Sequence, residues 1–467
     1  MRIAGLKCIN PPDAIVLLGL LAFLAGYSPA MALTGIERQI TSDPNGHLLT
    51  NLNVFSPDGE WIVYDERSDR DGAMFDSAFI KRVNLKSGAI EPLYQARNGA
   101  FVGVVTHNPK KNSVVFIHGP ENPTPEWSYA AQHREGTIVD TSRPGVAINL
   151  DARDITTPFT PGALRGGSHV HVYAPDGEWL SFTYQDHVLN LLGKEGAHDR
   201  DQRNIGISVP TRPVQVAKDN IRNRDGTTFT VLVTRTVNTP RPGSDDIQRA
   251  YEEGWVGTQG YLKPGGVRQR RAIAFLGDTM GTNGKPLTEV FIADIPEDVT
   301  QPGSDVPLEG TPTRMPGPPK GTEQRRLTFT ADRPNPGIQG PRFWVRSNAS
   351  GDALAFLMKD DAGIVQIHTV SPNGGTIRQV TRNMFAVAST ISWSPDGKRI
   401  TYAGDDSVFV TDVASGDTSR VAPRDSARPV LALVAEFSPD GKRVVYQRVV
   451  RTAAGEWNQI FVAELSE

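Results

Sequence analysis

Phe55-Ser-Pro-Asp-Gly-Glu-Trp-Ile-Val-Tyr64 decides the fold, because the chain repeats it. Close copies stand at Tyr173-Ala-Pro-Asp-Gly-Glu-Trp-Leu-Ser-Phe182, Trp393-Ser-Pro-Asp-Gly-Lys-Arg-Ile-Thr-Tyr402 and Phe437-Ser-Pro-Asp-Gly-Lys-Arg-Val-Val-Tyr446. Weaker copies are read at Asn108-Pro-Lys-Lys-Asn112, Asn223-Arg-Asp-Gly226 and Asn348-Ala-Ser-Gly-Asp352. In each full copy an apolar strand runs into Pro, which fixes φ and opens a turn. Asp bonds the turn backbone, Gly takes the positive φ that closes it, and a β-branched or aromatic strand returns. Third strands follow, as in Phe79 to Leu85, Val365 to Val370, Val408 to Asp412 and Gln459 to Ala463; fourth strands follow these, as in Arg325 to Phe329 and Ile377 to Thr381. Four antiparallel strands cannot bury both faces alone, so radial stacking is required. The expectation is an all-β chain forming one seven-bladed β-propeller with loop insertions on one face.

The chain has 467 residues, 38% hydrophobic and 22% charged, with 45 Gly and 35 Pro, a composition suited to many short strands joined by turns. The net charge of −3 gives no basic excess to suggest nucleic acid. Residues 1–32 read as a signal peptide: Arg2 and Lys7, an apolar run from Ala14 to Gly26, then Ala30-Met31-Ala32 as a cleavage site. The run is shorter than the ~20 residues of a spanning helix, so the mature chain, 33–467, is expected to be periplasmic or secreted with no membrane span. Cys8 is the only cysteine and lies in the removed segment. The chain ends on a third-type strand, so Glu37-Arg-Gln-Ile-Thr41 is expected to supply the missing strand of the last blade and close the ring.

The Ser-Pro-Asp-Gly blades resemble the Pro-Asp, WD40-like repeats of TolB-like periplasmic propellers, and the mature chain resembles an uncharacterised bacterial subfamily of that kind. The resemblance implies the fold and a place in the cell envelope, and says little of function.

Loops entering strand one and leaving strand two share the face opposite the Pro-Asp-Gly turns, and the unusual residues gather there. His169 and His171 enter blade 3, where alternation puts them on one side of the strand, and His187 follows the next strand. These three are candidate ligands of a divalent metal (Mn, Ca or Zn). Asn51 and Asn53 enter blade 1, and Lys218 and Asn220 are aligned with the entry of blade 4; blades 6 and 7 offer Ser389, Ile391, Leu433 and Ala435, so the site is expected off-centre. Insertions are read at 119–145, with His133 and Arg134 after His118, and at 239–266, with Glu252, Glu253 and Trp255; residues 296–321 read as an exposed connector. Aromatic rings beside Arg and carboxylates suit saccharides or acidic groups.

The architecture also resembles oligogalacturonide lyases. Their central metal, held by histidines at strand-one entries and a Gln, implies roles for His169, His171 and Gln339. Arg342 and Trp344 stand where two further histidines would, so the implied set is incomplete. Three readings stay open. One is a propeller binding a saccharide or cell-envelope component through Asn51, Asn53, His118, His133, Arg134, Gln339 and Arg342. Another is a metal-dependent enzyme on acidic sugars, with His187, Arg134 or Arg342 as catalytic candidates. The last is a scaffold for envelope proteins.

Overall fold

The computed structural model describes residues 33–196, 198–340 and 344–466. Residues 1–32, read above as a signal peptide, and Arg342 lie outside the described residues. Among those described, the strands form seven four-stranded antiparallel sheets and one two-stranded hairpin, arranged as a seven-bladed propeller. Blade 1 runs from Gly46 to Gln95, blade 2 from Val102 to Asn149, and blade 3 from Gly166 to Leu232. Blade 4 runs from Arg249 to Arg326, blade 5 from Arg346 to Gln379, and blade 6 from Ser392 to Arg420. Blade 7 takes Val430–Phe437, Arg443–Thr452 and Gly455–Ser466 from one end of the chain and Thr34–Gln39 from the other.

That last strand pairs antiparallel with Gly455–Ser466, from Thr34 opposite Ser466 to Gln39 opposite Phe461. It starts three residues before the segment read from the sequence. Glu37 anchors it: its carboxylate accepts from Arg448 Nε at 2.7 Å and from the Tyr446 hydroxyl, and Arg448 is fully buried.

The repeated turn works as its residues dictate. In blade 7 the Ser438 hydroxyl donates to Asp440 at 2.5 Å, Asp440 accepts from Lys442 N at 3.1 Å, and Gly441 sits at φ 70°. Blades 1 and 6 repeat the arrangement. Between blades, the core is apolar; Trp179, Ile205 and Ile207 of blade 3, for example, share a cluster with Ile273 and Phe275 of blade 4.

Five sequence expectations need correction. Asn223-Arg-Asp-Gly226 is not the turn of blade 4; it lies in a long loop, 210–228, between the third and fourth strands of blade 3. Lys218 and Asn220 therefore do not enter blade 4, whose inner strand is Arg249–Trp255 and whose turn is replaced by the hairpin Tyr261–Leu262 with Arg268–Gln269. The 239–266 "insertion" is thus partly blade. In blade 2 the third strand begins at Glu135, so its insertion is 119–134. The 296–321 segment is not simply exposed: Val299 and Leu308 join the core between blades 3 and 4, and Thr311 and Arg314 carbonyls accept from the buried Arg165 guanidinium.

Candidate functional site

The inner strand of blade 3 bulges where the two histidines sit. Val170 takes φ 56°, and the register slips between His169, opposite Thr183, and Val172, opposite Ser181. An extra residue on one strand breaks the alternation of faces. His169 and His171 therefore point apart. His169 is half-buried with Nδ1 3.3 Å from Thr183 Oγ1, while His171 is fully buried, its ring 5.7 Å from Phe182 and its Nε2 3.7 Å from Asp151.

His187 opens the helix His187–Gly196 and meets a different partner, with Nδ1 3.1 Å from His133 Nε2. Trp127 stacks on His133 at 3.9 Å and meets His187 edge-on at 4.6 Å. His133 Nδ1 lies 2.8 Å from the Ser128 carbonyl, which can only accept, so that nitrogen carries the proton. His133 Nε2 then accepts from His187 Nδ1–H. Burial, with His133 and Arg153 nearby, pushes His187 down to about 4 and keeps it neutral.

The predicted trio thus occupies three separate environments and does not fit a metal centre. Among the described residues no group of three or more His, Cys, Asp and Glu is placed to hold one. Trp344, from the entry of blade 5, packs with Val104 of the first strand of blade 2 and with Val170 and Val172 of the first strand of blade 3. Gln339 is half-buried and donates to the Pro336 carbonyl at 2.7 Å.

Charged groups are buried at the entries of blades 5 and 7, against the entry of blade 1. Asn51 Oδ1 accepts from the buried Arg346 at 2.5 Å, and Asn53, at φ 64°, and Val54 present their amides to Glu436 at 2.8 and 3.1 Å. Both asparagines therefore serve this buried charge network. Burial pushes Glu436 up to about 7 and Glu253 up to about 8, and lowers Arg346 to about 10. Neither Glu253 oxygen has a hydrogen-bond partner.

Off-centre, on the insertion face between blades 3 and 4, opens a cavity of about 590 Å3. Gln185, Asn190, Gln202 and Gln248 line it together with Arg200, Arg203, Arg249 and one carboxylate, Asp201. Burial lowers the Arg203 pKa, the like charges of Arg249 and Arg134 add to the effect, and the carboxylates of Glu252 and Glu253 oppose it. Arg203 makes one long hydrogen bond, to Gln185 Oε1 at 3.4 Å, and Arg134 lies over the Tyr129 ring at 5.2 Å with Nε buried and unpartnered. Among the described residues neither guanidinium has a carboxylate within 4 Å, although Glu252 and Glu253 attract Arg203 from farther off. The blade-2 insertion is tied to this cavity by Gln132, which donates to Asp201 at 2.6 Å. Arg134 was legible in the sequence; Arg203 and Arg249 were missed, because blade 4 was misplaced.

Comparison with known proteins fixes the kinship. The model of a family described as "Protein of unknown function (DUF3748)" matches residues 101–224. The structure is similar to an oligogalacturonate lyase in complex with manganese, with 13% identity and a TM-score of 0.55 over 94% of this chain and 97% of that one, which shows a shared fold. TolB from Acinetobacter baumannii is more loosely similar, with 13% identity and a TM-score of 0.35 over 93% of this chain and 79% of that one. "Uncharacterized protein YidR" of Escherichia coli (strain K12) is 46% identical over 408 residues, which span 87% of this chain and 93% of YidR. At that identity and coverage, the chain belongs to the YidR family.

Proposed function

We propose that the protein is an exported propeller that binds a polar, acidic ligand, a saccharide or another carboxylate-bearing component of the cell envelope, in the cavity between blades 3 and 4. One observation carries this reading: Arg203 lines the cavity with a single long hydrogen bond, to Gln185 Oε1 at 3.4 Å, and the like charges of Arg249 and Arg134 act on it, offset only in part by Glu252 and Glu253. Holding like charges together in a half-buried place costs stability, and a ligand carboxylate relieves that cost by forked hydrogen bonds. The amide side chains of Gln185, Asn190, Gln202 and Gln248 match hydroxyl groups, which both donate and accept. Export rests on the basic, apolar and small-residue succession of residues 1–32, and no helix of the described residues is long and apolar enough to cross a membrane.

Calorimetric titration with a uronic-acid trisaccharide and with its neutral hexose counterpart tests the reading. The acidic sugar is expected to bind, and Arg203→Gln to weaken it at least tenfold. Equal affinity for the neutral sugar, or indifference to the substitution, would overturn it.

A further inference from the structure

A second cavity, of about 230 Å3, lies at the rim of the same face, between the 119–134 insertion of blade 2 and the 210–228 loop of blade 3. The loop is held against blade 2 by backbone. Arg224 and Arg153 exchange N–H···O bonds at 2.9 and 2.8 Å, and Gly226 comes so close that a Cβ would stand 2.0 Å from Ala152 N. Only glycine permits that approach. The consequence is that Arg222 and Arg224 are delivered opposite Arg153, Glu135, Glu121 and Trp127.

The charges there do not balance. Glu135 is shared by two guanidinium groups, Arg153 at 3.0 Å and Arg224. Arg222 hydrogen-bonds only carbonyls, Glu121 O at 3.1 Å and Asn122 O at 3.3 Å, and lies over the Trp127 ring at 5.4 Å. Arg153 is 7% exposed, and burial, with Arg222 and Arg224 adjoining, lowers it to about 10, which still leaves it charged at neutral pH. The unmet hydrogen bonds share a sign as well. Trp127 Nε1, Arg224 Nε and Arg224 Nη2 are buried donors without an acceptor, and Trp127 is 6% exposed. The one unbonded acceptor, Glu135 Oε2, already sits against Arg153. Buried donors left unpaired cost about 1–3 kcal/mol each, so the place lacks acceptors and negative charge together.

We propose that this rim cleft binds a small solute through an oxyanion, carboxylate or phosphate. Its volume falls below the ~300–1,000 Å3 of pockets for drug-sized ligands, which favours a solute over a polymer. The segment matched by the family model, 101–224, supplies all six of the side chains named above. The proposal is independent of the cavity between blades 3 and 4, which uses Arg203 and Arg249.

The test is titration of the full mature chain with inorganic phosphate and, separately, with glucuronate at low ionic strength, followed by thermal shift and calorimetry. Saturable binding is expected for at least one anion, and which one names the ligand chemistry. Arg224→Gln is expected to reduce affinity at least tenfold. Because that change also removes a partner of Glu135, Arg222→Gln is the second variant, with a several-fold loss and a circular dichroism spectrum like wild type. Arg203→Gln is expected to leave this binding in place, which separates it from the site proposed above. Binding of neither anion, or binding that both Arg222→Gln and Arg224→Gln leave unchanged, overturns the proposal.

Discussion

Blades 6 and 7 and blades 2 to 4 share one frame and use it differently. In blades 6 and 7 the second and third strands are joined by two residues each, Asp405-Asp406 and Ala453-Ala454, and each first turn is a full Ser-Pro-Asp-Gly hairpin. In blade 2 the corresponding connection is the 119–134 insertion, and in blade 3 it contains a helix. Blades 3 and 4 add long loops at 210–228 and 295–322 between their third and fourth strands. The arginines of both cavities come from blades 2 to 4 or the loops that join them. The regular half is shaped by closure and packing; the decorated half carries the uncompensated charge, as expected when function is grafted on loops around a rigid scaffold.

The largest test of this division attacks the closure. Removing Thr34 to Gln39 strips the paired edge from Gly455–Ser466 and leaves the buried Arg448 without Glu37. The melting temperature is expected to fall by ten degrees or more, the largest loss of any change considered. Glu37→Ala alone isolates the charge, since breaking one side of a buried pair costs about 3–5 kcal/mol. Urea denaturation reads it. A deletion as stable as the parent would show that the regular half does not depend on its closing strand.

In the decorated half, Glu253 gives a pH-dependent counterpart. Burial pushes its carboxyl from 4.5 up to about 8, with Glu252 pushing the same way and Arg346 and Arg203 opposing. Between these values the folded chain keeps a proton that the unfolded chain has released, so this group's stabilisation falls as pH rises through that window. Glu253→Gln removes the dependence. Its melting temperature is expected to match wild type near pH 4.5 and to exceed it by several degrees at pH 8. A difference that is the same at both pH values means that Glu253 is not the group concerned.

Legibility followed the same division. The hairpins were readable because turn chemistry is local: Pro, Asp and Gly each do their work within four residues. The closing strand was read from the missing fourth strand at the chain's end, and the count of seven came out right only with a stray segment standing in for the turn of blade 4. Blade 4 was misread because its turn is replaced by a hairpin, and a stray Asn-Arg-Asp-Gly offered itself instead. Its third strand, Val290-Phe-Ile-Ala-Asp294, matches Val408-Phe-Val-Thr-Asp412, and counting back from it would have placed Ala272–Met280 as the second strand. The histidines failed for a physical reason. Period-two alternation assumes an unbroken strand, and the bulge at Val170 separates His169 from His171. His133 and His187 meet across 54 residues, a contact that no local pattern announces.

The smallest expected effect sharpens what the repeat contributes. Blade 3 has Ala174 where blade 7 has Ser438, yet its turn closes alike: Gly177 N reaches Ala174 O at 2.8 Å, Ala174 N reaches Trp179 O at 2.7 Å, and Gly177 holds φ 75°. The serine hydroxyl is therefore an addition to a turn that backbone and glycine already make. Ser438→Ala removes its bonds to Asp440 at 2.5 Å and from Arg443 N at 3.0 Å, both at a partly exposed place where water can substitute. The expected cost is about 0.5–1.5 kcal/mol by urea denaturation, with anion binding at both cavities unchanged. Gly441→Ala, at φ 70°, should cost more, about 1–2 kcal/mol, because an L side chain is strained there. If the serine change proves the costlier of the two, the turn is held by its side-chain network rather than by its backbone, and blade 3 must carry a compensation that blade 7 lacks.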